Sequence, residues 1–236
     1  MRAVGGQANA ARSAAPCVAA AVGGAGPGSL RCSVSSNSLR RVRSSRGAFE
    51  ETERIAQVAL DTFGRLDIVV AAAGILRRQS IDDMTDSAWD DMLAVDLSGV
   101  MRVFRSCVTR MARGGAMVAT SSIAGGVYGW EDHSHYAAAK AGVLGLCRSL
   151  AVELAPRDIR VNAMIPGLIE SPQSLDSVNS LGPEGLREAG KIIPAGRVGT
   201  VDEAARAIRF LTSDDAGYVT GQSLVVDGGL TVRWPS

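Results

Sequence analysis

Residues 115–171, GAMVATSSIAGGVYGWEDHSHYAAAKAGVLGLCRSLAVELAPRDIRVNAMIPGLIES, decide how the rest of this 236-residue chain is read. The stretch runs from an apolar strand pattern (115–120) through a Gly-rich loop. A helical pattern follows from about residue 134 to 155, closed by Pro156, then a second strand pattern, 159–165, that stops at Pro166-Gly167. Within the helix Tyr136 and Lys140 are four apart, so they stack on one face and an ammonium lies beside a phenol. The reference phenol titrates near ~10, and a unit charge ~4 Å away at an effective dielectric of ~20 is worth about 4 kcal/mol, which predicts a Tyr136 titrating near ~7. With three Tyr and two Lys in the chain, chance supplies only ~0.03 such pairs. The pair reads as a proton-transfer device.

Working outward, the same alternation continues. Ile55, Val58, Ala59 and Phe63 recur at helical spacing ahead of Gly64, and residues 66–71, LDIVVA, form a short apolar run suited to a strand buried on both faces. Ser87 and Asp90 are placed to box the start of a long helix facing inward through Trp89, Leu93, Val100, Phe104 and Cys107. Asp96 falls on that inward stripe, where a carboxylate needs a partner. Residues 168–199 are broken by Gly, Pro and Ser and read as a long functional loop. A helix at 201–211 and a strand at 223–226 end the pattern. Strand and helix in alternation predict an α/β fold with a parallel sheet. Ala72–Gly74, Ser121–Ser122 and Pro166–Gly167 all fall at carboxyl ends of strands, the edge at which open α/β sheets bind ligands.

Composition narrows the class. Hydrophobic residues make up 46% of the chain and mean hydropathy is +0.12, as expected of one filled globular domain without a membrane span. The net charge of +1 conceals seven Arg and no acid in residues 1–49; from Glu50 onward 18 basic face 24 acidic residues. That body gives no basic surface for a nucleic acid. Cys17, Cys32, Cys107 and Cys147, with only His133 and His135 beside them, have neither metal-ligand spacing nor disulfide density, which suits a reducing cytoplasm. A Ser/His/Asp hydrolase is disfavoured, since no G-x-S-x-G elbow occurs.

Ser122 lies 14 residues before YAAAK; PGLIES stands at 166–171 and VTGQSLVVDGG at 219–229. On these motifs residues 48–230 resemble the short-chain dehydrogenase/reductase family, in particular its 3-oxoacyl-carrier-protein-reductase-like members. The resemblance implies a Rossmann-like doubly wound sheet, NAD or NADP as cofactor, a small alcohol or carbonyl substrate, and a homotetramer or homodimer associating through the helices near 87–112 and 136–155. It implies Tyr136 as general acid/base, Lys140 lowering its pKa and holding the nicotinamide ribose, and Ser122 polarising the carbonyl, with Ser121 as the other possibility. Asp96 matches the family's catalytic Asn. Ala71, Ala73, Gly74, Pro166, Gly167, Ile169 and Ser171 would border the cofactor.

Departures from the pattern accompany it. The family's Asn-Asn-Ala-Gly is Ala71-Ala72-Ala73-Gly74, Asp96 carries a charge the Asn lacks, and no TGxxxGxG strand-loop-helix is legible before Ala48. The one candidate there is residues 17–28, CVAAAVGGAGPG. Residues 1–47 therefore read as an atypical, loosely ordered head ahead of a body at 48–236, with a displaced reading frame or start, a transit peptide, or a divergent nucleotide site as explanations. Poor cofactor binding is expected on this reading, with a cofactor-deficient scaffold of the same fold as the alternative function.

Overall fold

The computed structural model describes residues 18–22, 32–35 and 45–233, with side chains from Thr52 onward. In chain order it contains strands β1 (Val18–Val22) and β2 (Cys32–Ser35), helix α1 (Ser45–Phe63), β3 (Ile68–Ala71), and helices α2 (Asp86–Asp96) and α3 (Ser98–Val108). There follow β4 (Ala116–Thr120), α4 (Ser134–Leu154), β5 (Arg160–Pro166), β6 (Ile169–Glu170), α5 (Gly182–Ile192), β7 (Gly199–Thr200), α6 (Val201–Thr212) and β8 (Ser223–Val226).

Six strands form one sheet in the order β2-β1-β3-β4-β5-β8, every pair parallel; β6 and β7 make a separate two-stranded ladder. The chain leaves β1 for β2 on one side and resumes at β3 on the other, so the order reverses between β1 and β3, where open α/β sheets form their ligand crevice. The register brings Ala71, Thr120, Pro166 and Val226 to one carboxyl edge.

Period-two alternation sorts β4 and β5 between two layers. Met117, Ala119, Val161, Ala163 and Ile165 face a core shared with Ile55, Phe104, Val143 and Leu154 of α1, α3 and α4. Val118 and Met164 face Leu211 and the inner side of α6. Helices thus cover both faces, as the doubly wound expectation requires.

Several sequence expectations are corrected. A first strand exists: β1 lies within the weak candidate 17–28 and pairs with both β2 and β3. Its sequence, VAAAV, carries three Ala, which is why strand propensity did not reveal it. The head and the body also share one sheet, and α1 spans the expected boundary at residue 47. The glycine loop after β1 and most of the head lie outside the described residues, and with them the expectations of loose ordering and a displaced frame. In α1 the inward stripe is Ile55, Ala56 and Ala59, while Val58 and Phe63 are exposed.

The long helix expected from residue 87 is two helices, broken at Leu97 (φ −120, ψ −60). Its cap is Thr85, whose hydroxyl accepts from the Ala88 N–H, an N-cap two residues before the box read from Ser87 and Asp90. Met92 and Asp96, not Trp89 and Leu93, are its buried residues. Residues 168–199 are not a bare loop, since they contain α5, β6 and β7.

Candidate active site

Asp96 ends α2 at the break before α3, and this places its carboxylate fully inside the protein. The Ile75 N–H donates to its Oδ1 at 2.8 Å, and the Lys140 ammonium lies 3.2 Å from its Oδ2. Lys140, 4% exposed, also donates to the Thr120 carbonyl at 3.3 Å, off the end of β4. Gly74 is what permits this pairing. A Cβ there would stand 3.0 Å from Asp96 Oδ2 and 3.3 Å from Lys140 Nζ, so any larger residue would push the pair apart.

Tyr136 sits one turn before Lys140 on α4, with Nζ 5.6 Å from its ring centre. Ser122 lies close enough to act on its phenol, and the Ser122 hydroxyl accepts from the Ala124 N–H at 3.1 Å and so is held at the end of β4. The neighbouring Ser121 goes elsewhere: its hydroxyl donates to the Lys140 carbonyl at 2.8 Å, and its N–H donates to the Met164 carbonyl. Two adjacent serines that spacing left open are thus separated by geometry. One faces the phenol; the other ties β4 to α4.

The phenol does not titrate as the sequence estimate had it. Burial is the largest influence and pushes Tyr136 above its ordinary value; Lys140 pulls it down, Asp96 pushes it up again, and the Ser122 hydrogen bond pulls it down. Pairing with Lys140 alone leaves out both desolvation and a second charge that offsets the first. For Lys140, burial works against the ammonium, but Asp96 and then Tyr136 hold its pKa above the usual value.

In front of Tyr136 opens a cavity of about 140 Å³. Its lining includes Ser122 and, from the segment after β5, Pro166, Gly167, Ile169 and Ser171, which are site residues expected from the sequence. It also includes Leu76, Tyr128 and Trp130, for which the sequence reading assigned no role. Trp130 is stacked on His133 with ring centres 4.0 Å apart, and two aromatics in a Gly-rich loop ahead of the helix were the available signal. His135 is buried beside α2 and away from this lining, and its Nδ1 has no hydrogen-bond partner among the described residues. Ala71 and Ala73, with Gly74, form a small-residue margin at the end of β3, next to β1.

The arrangement fits the nicotinamide-ribose half of a dinucleotide. Lys140 donates one N–H to the Thr120 carbonyl and is ion-paired with Asp96, and with three N–H groups it keeps donor capacity for a hydroxyl. Beside β3 the edge carries only small residues, Ala71, Ala73 and Gly74. Among the described residues no group of three His, Cys, Asp or Glu side chains is placed to hold a metal ion.

Comparison with known proteins agrees with this geometry. The family profile described as Enoyl-(Acyl carrier protein) reductase matches residues 47–231. The chain is 40% identical over 186 residues to the 3-oxoacyl-[acyl-carrier-protein] reductase FabG of Thermotoga maritima, covering 78% of this chain and 73% of that protein. It is 40% identical over 172 residues to the Escherichia coli K12 FabG, covering 71% and 68%. Among solved structures, the aldohexose dehydrogenase of Thermoplasma acidophilum superposes with a TM-score of 0.75 at 28% identity, over 80% of this chain and 76% of that one. Levodione reductase superposes with a TM-score of 0.74 at 33% identity, over 79% and 74%. With the motifs, the sheet order and the Ser122, Tyr136 and Lys140 cluster in agreement, the chain belongs to the short-chain dehydrogenase/reductase family and is an NAD(P)-dependent oxidoreductase.

Proposed function

We propose that this enzyme interconverts an alcohol and a carbonyl with Tyr136 as the general acid/base, and that reduction of the carbonyl is the direction its site favours. NAD(P) supplies or accepts the hydride. In reduction Tyr136 gives its proton to the carbonyl oxygen while the Ser122 hydroxyl donates a hydrogen bond to that same oxygen. Lys140 stabilises the phenolate left behind and offers its remaining N–H to a ribose hydroxyl. Ile169 and Ser171, with Pro166 and Gly167, would form the wall against the nicotinamide, and Ala71, Ala73 and Gly74 the margin nearer the ribose. Asp96 reaches neither substrate nor cofactor; it is a positioning residue acting through Lys140.

The observation that carries this is the placement of a buried phenol between a hydroxyl and an ion-paired ammonium at the mouth of a cavity. A scaffold that had lost its chemistry would have no need of a buried ion pair at that point, and leaving one charge unpaired there is costly. The relatives' names point to carbonyl reduction as well. The test is oxidation of NADH or NADPH by the full chain with simple ketones. Tyr136→Phe is expected to lower kcat/KM by about 10²–10⁴-fold with circular dichroism unchanged; a fully active Tyr136→Phe enzyme would remove the mechanism.

Association with a second copy is part of the same reading. The outer face of α4 presents Ala138, Ala141, Gly145, Ser149 and Val152, all exposed, with Val152 at 78%. Small residues of this kind allow close helix approach, and burying Val152 would repay it. A folded species that stays monomeric at micromolar concentration by light scattering would count against a homodimer or homotetramer. A reducing, cytoplasmic setting is supported by Cys147, a buried thiol pushed up to about 12 by burial. Among the described residues no helix is long and apolar enough to cross a membrane.

A further inference from the structure

The lining of the cavity has no Lys, Arg, His, Asp or Glu side chain. Its polar groups are hydroxyls and one amide: Ser122, Tyr136, Ser171, Ser174, Ser180 and Gln173, with Tyr128 beside them. The charges nearby lie outside the lining. Lys140 lies behind Tyr136 and is paired with Asp96. At the rim Arg78 is paired with Asp132 at 2.9 Å, and Arg77 donates to the Leu76 carbonyl and faces Asp176. His133, stacked behind Trp130, turns its two nitrogens to the carbonyls of Glu131 and Asn179.

Among the described residues, a negative charge, that of Asp227, lies against the lining. A Cβ on Gly167 would stand 2.6 Å from the Asp227 Cβ, so this carboxylate's backbone lies against the lining. Its oxygens accept from the Thr231 and Gly229 N–H groups at 2.7 and 2.9 Å. The same charge acts on Tyr128, whose phenol burial, and then Asp227, push above its ordinary value.

From this we infer that the enzyme selects substrates that are uncharged around the reacting carbon, with an apolar or aromatic body, and discriminates against carboxylates and phosphates in that position. The inference rests on the dehydrogenase reading above. An anion entering between Trp130 and Tyr136 would give up its water and find no cation, only hydroxyls and the field of Asp227. A neutral carbonyl loses little, because its oxygen gains Ser122 and Tyr136 and its body meets Leu76, Tyr128 and Trp130. With Pro166, Gly167 and Ile169 assigned to the nicotinamide side, the enclosed part of the substrate is small. The whole space, about 140 Å³, is comparable to the ~150 Å³ that accommodates a benzene ring in an apolar cavity.

The test uses the full chain with its reduced cofactor and a homologous series of 3-oxo acids, each compared with its own methyl ester, so that size is nearly constant and charge is not. The ester is expected to exceed the acid in kcat/KM by of order 10²-fold, expressed largely in KM. Gln173→Arg, which sets a cation on the lining, is expected to raise the ratio of acid to ester kcat/KM by about tenfold or more. Acids reduced as well as their esters, or a Gln173→Arg variant that alters both alike, would overturn the inference and leave the dehydrogenase reading standing. Failure to reduce any ester, acid or simple ketone would overturn that reading, and the inference with it.

Discussion

Behind Tyr136 lie Lys140 and Asp96, both buried, 3.2 Å apart and held by the Ile75 N–H and the Thr120 carbonyl. In front of it lies a cavity whose lining carries no permanent charge. The two regions share the phenol and little else: one concentrates charge and cancels it, the other avoids it. The difference shows how a single tyrosine can be tuned on one side and left to meet a neutral substrate on the other. On the proposed reading, catalytic electrostatics belong to the interior, where an interaction of given geometry is strongest, and recognition to shape and hydroxyls.

The contrast between Ser122 and Ser121 breaks most visibly. Ser122→Ala removes the hydroxyl that faces the phenol from the cavity side, and kcat/KM is expected to fall by about 10²–10³-fold with little change in thermal midpoint. Equal activity in steady-state assays would take Ser122 out of the site. Gly74→Ala attacks the charged side, since the new methyl meets the carboxylate and the ammonium at once. It is expected to cost about 1–3 kcal/mol of stability by denaturant unfolding, with a loss of turnover as Lys140 shifts. An unperturbed Gly74→Ala enzyme would mean that the pair is looser than the 3.2 Å separation implies.

Asp96→Asn sharpens the comparison by removing one charge and keeping the shape. Asp96 raises the Tyr136 pKa, and alcohol oxidation needs the phenolate, so its rate rises with pH through that pKa. With the carboxylate gone the pKa falls, and the rising limb of the oxidation profile is expected to move to lower pH. In the reductive direction the loss of rate at high pH moves the same way. A role confined to holding the helix break together would lower activity at all pH values without moving either limb. The smallest expected effect is Ser121→Ala, which removes one buried hydrogen bond to the Lys140 carbonyl and costs about 1 kcal/mol of stability. A loss of activity as large as that of Ser122→Ala would erase the distinction between the two serines.

The alternation of apolar runs and helical stripes after residue 48 was enough to specify a parallel α/β sheet, because strands buried on both faces and amphipathic helices leave patterns of different period. Tyr136, Lys140, Ser122 and the Pro166–Ser171 segment were legible for a related reason: each sits at a strand end or one helical turn from its partner, and such local spacing survives in one dimension. The first strand was not legible, since VAAAV owes its place to the neighbours β2 and β3 and not to its own propensity. Only the fold could decide that Ser121 serves the scaffold, that Gly74 must lack a side chain, and that Asp96 pairs with Lys140 across 44 positions of sequence. The direction in which Tyr136 titrates belongs to the same class. Desolvation and a second charge arriving from another helix depend on what surrounds a residue, and that is set by packing between segments distant in the chain.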